Sequence, residues 1–580
     1  MIYTAVTFAP VQGFILASRK LRDLYASSLL ISHLARAQAE DAEGRGHVVI
    51  SPADFHTSRG VPNVLVIRGD YSRSDASAAL LGGWQRILGA CKAWIEDYFE
   101  QLHSTTTFDW ESSWQACARH SWELFHGQGS SIQEARTALA IYKQQRDWAI
   151  PNWTGESSTL SSAEAVVRPA MGARVDPRSL RPGDVQEEAR SFLRQLRQSP
   201  DLGVAFAGDN EEISLTELVK RLISYPAVAR IALATGRGQT LTDEQVKALL
   251  PERFQRLTTM ARAEEAAALK EQPESIVWFM ADGDGIGEHL ESLAQQQGEI
   301  DKDQAEEKAL QSFSAAMRTW AASLYQLVPG RIPGQAMVVY AGGDDLFGAL
   351  HESEPGKQDL TTTQLIDWLL AFPELWKRCG QEGLTSSMGL VWADAKVPQR
   401  EALQHAREAE ASAKARGKDR FALRLLYANG NHLEWTCPWA WFGTILNAYT
   451  DREGRTLAAA RDGRWPSWRH LAEDLQWLQS RQAIAGPARR KEVEGGEVCA
   501  YLPTAQALWN AYFPGCTLPE QEPSHPPAPG TTPFRVTFAT PEKGRRFDQW
   551  LWDLGRVMAG LEKHGPPVAS APAAAAEARR

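Results

Sequence analysis

The 580-residue sequence is poor in cysteine: Cys91, Cys117, Cys379, Cys437, Cys499 and Cys516 are all it has, and no two form a Cys-x-x-Cys pair. That sparseness excludes a disulfide-stapled secreted scaffold, predicts no structural zinc, and points to a reducing cytoplasm. Positive charge is also in deficit, with 62 Lys and Arg against 71 Asp and Glu and a net charge of −9. A generic nucleic-acid coat is thereby excluded, because neutralising phosphates takes clustered Lys and Arg. The local basic groups (Arg19-Lys20 with Arg22; Arg190, Arg194 and Arg197; Arg489-Arg490-Lys491) read as solvated helix faces. No apolar run approaches the ~18 residues of a membrane span. The start Met1-Ile2-Tyr3-Thr4 lacks a basic region followed by a leader-like apolar core. What is present, 43% hydrophobic and 23% charged residues, suits globular domains, and the length predicts three to four of them.

The most informative stretch is Ala341-Gly342-Gly343-Asp344-Asp345-Leu346-Phe347, after the apolar run Ala336-Met337-Val338-Val339-Tyr340. Glycines permit a tight hairpin there, and the turn confines two carboxylates to one small volume. Charges about 4 Å apart repel by roughly 4 kcal/mol at an effective dielectric near 20. A divalent cation such as Mg²⁺ is the usual agent that offsets such repulsion. Taken alone, the turn is equally readable as an ordinary surface hairpin.

A second acidic cluster changes that reading. Ser275–Ala281 reads as a short buried strand that runs into Asp282-Gly283-Asp284-Gly285-Ile286-Gly287-Glu288 and then an amphipathic helix. Its glycines leave backbone N–H groups open at a helix N-terminus, a suitable place for phosphates. A helix-loop-helix calcium loop needs a preceding helix and an acid at its twelfth position; here a strand precedes, and the twelfth residue is Leu293. Strands are expected at 275–282, 335–341, 345–351, 385–392 and 420–426, with helices to about 327, near 361–380 and at 398–416. This is the β-α-β-β-α-β, ferredoxin-like order. It sets the first strand beside the central hairpin, so that Asp282, Asp344 and Asp345 converge as in a two-ion nucleotidyl-transfer site.

These motifs resemble the second palm domain of the large subunit of type III CRISPR effector complexes, the Cmr-type signalling polymerase. Phe8-Ala9-Pro10-Val11-Gln12-Gly13-Phe14-Ile15 with Ser18–Leu30 is similar to that family's first palm. Ser214–Leu222 resembles its connecting helical domain, and Ala413-Lys414 with Gly417-Lys418-Asp419-Arg420 resembles the end of its catalytic palm. The resemblance implies a subunit that joins ATP 3′-to-5′ into cyclic oligoadenylate when its RNA-guided complex captures target RNA. It implies Asp344 and Asp345 as catalytic acids, and Asp282, Asp344 and Asp345 as ligands of Mg²⁺ or Mn²⁺. Gly283, Asp284, Gly285, Ile286, Gly342, Gly343 and Lys414 become the nucleotide-binding candidates. Asp284 can alternatively cap the following helix, and Lys414 can be a merely solvated lysine. The implied partners are the other type III subunits and, through them, guide RNA and target RNA. Many members carry an HD nuclease domain; no His-Asp dipeptide occurs here, which predicts no DNA cleavage.

The expected fold class is α+β, with two ferredoxin-like palms and helical domains between and after them. The expected segments are a first palm without catalytic acids (1–160), a helical connector (161–270), the second palm (271–430), a C-terminal helical domain (431–565) and a disordered tail (566–580). In the first palm Phe8-Ala9-Pro10 replaces the strand-end acid, and Pro10 reads as the first residue of a helix. Trp84, Trp94, Trp110, Trp114 and Trp122 read as core or interface anchors rather than base-stacking groups. Two other functions stay open: a catalytically silent scaffold, and a diguanylate-type cyclase. Leu346 after the second acid, where that cyclase family has phenylalanine, argues against the latter.

Overall fold

The computed structural model describes residues 1–18, 21–55, 60–145, 156–173, 176, 181, 183–203, 206–208, 210–234, 240–250, 275–296, 302–332, 335–351, 360–394, 396–459, 464–484, 502–516 and 547–568. Arg19-Lys20, the 489–491 basic group, Cys499, the proline-dense stretch 519–533 and the tail from 569 lie outside the described residues. The chain divides into two compact units, neither of them contiguous. One comprises Met1–Ala261, Gly287–Ala322 and Val339–Gly343; the other comprises Arg262–Ile286, Ser323–Val338 and Asp344–Arg580.

The first unit is built on a four-stranded antiparallel sheet of β1 (Tyr3–Ala9), β2 (Val48–Ser51), β3 (Leu65–Arg68) and β4 (Glu123–Gly129), in the order β2-β3-β1-β4. β-branched and aromatic residues make Tyr-Thr-Ala-Val-Thr-Phe-Ala a natural buried strand, and six of its seven residues are buried. Helix Arg73–Gln101 packs mainly on helix Leu21–Gly44 and buries Leu80, Trp84, Ile87, Leu88, Cys91, Ile95 and Phe99, an apolar stripe at helical spacing. Ser72 starts it by accepting from the Asp75 N–H at 3.1 Å. Trp84, Trp110, Trp114 and Trp122 are core residues, while Trp94 is half-buried and stacks on Tyr98. Pro10 stands one position before the expected one, as the N-cap of helix Val11–Leu16.

Two stretches singled out in the sequence are bonded to each other. The buried Arg221 guanidinium, on helix Leu215–Ile223, donates to Asp23 at 2.7 Å and to Glu211 at 2.6 Å. Lys220 donates to the Phe14 carbonyl at 2.5 Å, and Arg22 to the Phe206 carbonyl at 2.7 Å. Each buried cation meets an acceptor, as burial of charge requires.

The second sheet runs β10-β9-β8-β5-β7-β6, from β5 (Ile276–Asp284), β6 (Ala336–Gly342), β7 (Asp345–Leu350), β8 (Thr385–Ala393), β9 (Arg420–Leu426) and β10 (His432–Pro438). Its β8-β5-β7-β6 portion has the strand order of the ferredoxin-like plan. Helix Gln399–Ala415 then carries the chain over to β9, which lies parallel to β8. The region after 431 opens on a strand rather than a helix, because Trp435 sits in β10, paired residue for residue with β9.

Small residues set the distance between this helix and its sheet. Helix Gln399–Ala415 turns a face of Ala402, Ala406, Ala409 and Ala413 to the sheet, all of them buried. Opposite stands Gly389 of β8, where an added Cβ would lie 2.9 Å from the Ala409 carbonyl carbon. With small groups on both surfaces, helix and sheet approach closely. The fold is α+β. Among the described residues no helix is long and apolar enough to cross a membrane.

Candidate active site

The hairpin between β6 and β7 turns through two residues, Gly343 and Asp344. Gly343 has φ +64°, the left-handed value that favours glycine at the first central position of a tight hairpin turn. β5 and β7 are antiparallel, with Ala281 opposite Leu346. Continuing that register sets Asp282 opposite Asp345 and Gly283 opposite Asp344. Residues opposed in this way share a sheet face, with Cβ atoms about 4.5–5.5 Å apart. A side chain at position 283 would come within 3.0 Å of the Asp344 Cβ and 3.2 Å of its Oδ2. Glycine therefore leaves room there for the Asp344 side chain, and its N–H donates to the Asp344 carboxylate. The next glycine, Gly285, has φ +70° and leads into helix Ile286–Gln296.

The charges around this turn are unevenly balanced. Burial raises the Asp344 pKa above its usual range. Asp345 keeps solvent access on one side, but surrounding protein and the charges of Asp344 and Glu410 push it up to about 8. Burial, and then the Asp284 charge, pushes Glu410 up to about 7 against the opposing pull of Arg407. Lys414 pairs with Asp282 and, at 2.9 Å, with Glu410 one helical turn earlier. Burial and the neighbouring Lys418 pull the Lys414 pKa down, while its two carboxylate contacts hold the ammonium charged.

Asp284 faces inward and does not cap the following helix. Its buried carboxylate accepts from Ser387 Oγ at 2.8 Å, Thr385 Oγ1 at 3.0 Å and the Asp419 N–H at 2.9 Å. The last of these bonds depends on an unusual run of left-handed residues, Gly417 (φ +116°), Lys418 (+62°) and Asp419 (+48°). Two consecutive non-glycine residues in that region are sterically costly. They fold the chain from the helix end onto β9. Asp284 thus joins the ends of β5 and β8 to the start of β9.

The structure therefore brings Asp282, Gly283, Asp344, Asp345 and Lys414 to one end of the sheet, and turns Asp284 into its support. One acid was missed in the sequence, Glu410, while Asp419, quoted there only as part of the Gly417–Arg420 stretch, enters through its backbone N–H. Glu410 carried a readable signal, standing four residues before Lys414 on one helical face. Among the described residues, no three His, Cys, Asp or Glu side chains are already grouped as an ion site. The donor chemistry nevertheless fits Mg²⁺ or Mn²⁺. Asp282, Asp344 and Asp345 offer hard carboxylate oxygens, and the raised pKa values of the last two mark negative charge that the surrounding protein leaves under-compensated.

Comparison with known proteins agrees with this geometry. The model for the second palm domain of Cas10/Cmr2 matches residues 276–422, and that for the N-terminal region of the CRISPR-associated protein Cmr2 matches residues 3–57. No curated protein matches the sequence. A chain of the apo type III-B Cmr-beta complex shares the fold at 11% identity and a TM-score of 0.50, over 84% of this chain and 76% of its own length. The Csm1–Csm4 subcomplex of the type III-A Csm interference complex aligns at 14% identity and a TM-score of 0.40, over 88% and 65%. The Csm1–Csm4 cassette in complex with cA4 aligns at 12% and 0.38, over 85% and 63%. The chain thus spans slightly under two thirds of the matched chains in those two Csm structures. The acids of β5, the Gly-Gly-Asp-Asp turn and Lys414 all fall inside the matched palm, so the chain carries a second palm domain of the Cas10/Cmr2 kind and an N-terminal region of the Cmr2 kind.

Proposed function

We propose that this subunit converts ATP into cyclic oligoadenylate by 3′-to-5′ nucleotidyl transfer, within an RNA-guided type III complex in the cytoplasm. The observation that carries the reading is the β5–β7 register, which pairs Ala281 with Leu346 and, continued, opposes Asp282 to Asp345 and Gly283 to Asp344, the latter also in close approach. Asp282, Asp344 and Asp345 would hold Mg²⁺ or Mn²⁺. Such ions supply charge neutralisation for a triphosphate and lower the pKa of the attacking hydroxyl. Lys414 is the cation within reach of these acids, held in place by Asp282 and Glu410, and is the candidate phosphate contact. Gly283 and Gly343 supply the backbone shape: the first admits Asp344 beside β5, and the second closes the turn. The other type III subunits, guide RNA and target RNA are the proposed partners, with target capture as the trigger.

The test is incubation of the purified complex with radiolabelled ATP or GTP, Mg²⁺ or Mn²⁺, and target RNA. Cyclic adenylate products are expected. Asp344→Ala with Asp345→Ala should lower their formation by about 10³-fold or more and leave complex assembly intact. Guanylate dimers would identify a diguanylate-type cyclase, no product at all a silent scaffold, and product from the double variant would refute the assignment of the acids.

A further inference from the structure

The glycine arm of the turn, Val339–Gly343, belongs to the first compact unit, and residues of that unit hold it through its backbone. Gly60, buried and with φ +64°, meets the Ala341 carbonyl so closely that a Cβ at position 60 would fall within the oxygen's van der Waals shell. The contact is reciprocal, since a Cβ at Gly342 would lie 2.8 Å from the Gly60 carbonyl oxygen. Arg318 donates to the same Gly60 carbonyl.

The loop that carries Gly60 is itself fastened. The Val61 N–H donates to Ser32 Oγ at 3.3 Å, and Asn63 Nδ2 donates to Thr7 Oγ1 on β1 at 2.8 Å. From the same helix as Ser32, the buried Ser28 hydroxyl donates directly to the Val339 carbonyl at 3.1 Å. Position 60 thus needs glycine twice, for its left-handed backbone and for an approach that only a missing side chain permits.

We propose that Gly60 and Ser28 are positioning residues for nucleotidyl transfer: they clamp the backbone of residues 339–343 and so fix where the turn presents Asp344 and Asp345. The proposal rests on the function proposed above. Displacing reacting groups by about 1 Å can cost about a hundredfold in rate, so backbone contacts two to five residues before Asp344 act on turnover more than on binding.

The experiment compares complexes carrying Gly60→Ala, Gly60→Asn, Ser28→Ala, Gly46→Ala or Asp344→Ala, by steady-state ATP kinetics and by hydrogen exchange of the 336–347 amides. Gly46 is the control, being left-handed at φ +86° with nothing within 4 Å of its would-be Cβ. Gly60→Ala and Gly60→Asn should each lower kcat about 10- to 100-fold, with the ATP KM nearly unchanged, and speed exchange over 339–343. Ser28→Ala should lower kcat about two- to tenfold, one hydrogen bond's worth, and Gly46→Ala should change neither readout. Restoration by Asn, which tolerates left-handed φ but still carries a Cβ, would overturn the close-approach argument. Unchanged exchange in both Gly60 variants would overturn the clamp whatever the kinetics show. Full activity in Asp344→Ala, or none in the unaltered complex, would instead overturn the proposed function, and the exchange measurement would still decide the clamp.

Discussion

Two sheets in this chain share one strand order and differ in what they can do. β2-β3-β1-β4 and β6-β7-β5-β8 are superposable as plans, and each sets a glycine of its last strand beneath a crossing helix. A Cβ at Gly127 would lie 2.8 Å from Leu139 Cα, just as one at Gly389 would lie 2.9 Å from the Ala409 carbonyl carbon. The sheets part company at two places. β1 ends in Phe8-Ala9 before Pro10, where β5 ends in Asp282-Gly283-Asp284. Residues 52–64 join β2 to β3, where Gly343 and Asp344 alone join β6 to β7. The plan is thus a support, and the chemistry depends on a strand end and on how tightly the adjacent hairpin turns.

Adding one methyl group to each sheet tests that division. Gly389→Ala and Gly127→Ala both force a Cβ against helix backbone, which cannot rotate away, so each should destabilise its sheet by about 2–3 kcal/mol. Thermal unfolding and urea titration would measure this. Their effects on nucleotidyl transfer should differ. Helix Gln399–Ala415 carries Glu410 and Lys414 to Asp282, so Gly389→Ala should also raise the ATP KM, and Gly127→Ala should leave the KM of the folded fraction alone. Equal changes in KM would show that the first sheet shapes the nucleotide site as strongly as the second.

The same contrast explains how much was legible in the sequence. Strand β5, the β6–β7 hairpin, β8 and β9 were readable because each is an apolar run bounded by glycine, acids or a helix. β2 and β4 were not. β2 is four residues long, and Glu-Leu-Phe-His-Gly-Gln-Gly carries glycines that lower strand propensity and make sense only once helix Ile132–Gln144 is packed on them. β10 was hidden by tryptophans that suggested a helix, because its strand character comes from pairing with β9. At the site, the three acids could be grouped because topology made their strands neighbours. The role of Asp284 could not be read, since its three donors come from positions 385, 387 and 419, more than a hundred residues later.

Asp284 sharpens the comparison with a smaller effect. Its carboxylate is support rather than nucleotide contact, so Asp284→Ala should cost about 2 kcal/mol by stranding buried donors and leave the ATP KM unchanged. Asp284→Asn should cost less. The amide oxygen can face the fixed Asp419 N–H, while the Ser387 hydroxyl rotates to accept from the amide NH₂. A large KM change with normal stability would move Asp284 from the support to the binding surface.

The smallest effect, and the sharpest contrast between the two units, is in their response to pH. In the first unit, burial pushes His33 down to about 4 and Lys220 down to about 8. Their unfolded forms bind more protons, so stability rises with pH between about 4 and 6.5 for the histidine and between about 8 and 10.5 for the lysine. In the second unit, Asp345 and Glu410 are raised to about 8 and about 7. Here the folded form holds the proton more tightly, so stability falls as pH rises from about 4 through those values. Between about pH 6.5 and 8 the carboxyl groups act alone, and the melting temperature of the purified chain should decline across that window. Asp345→Asn should flatten the decline, because the amide carries no charge to repel Asp344 and Glu410. Mn²⁺ should raise the melting temperature more at pH 8 than at pH 6.5, since a cation competes with protons for the same oxygens. A melting temperature that rises across the window, or a manganese effect independent of pH, would mean that the repulsion among Asp344, Asp345 and Glu410 is already relieved within the protein.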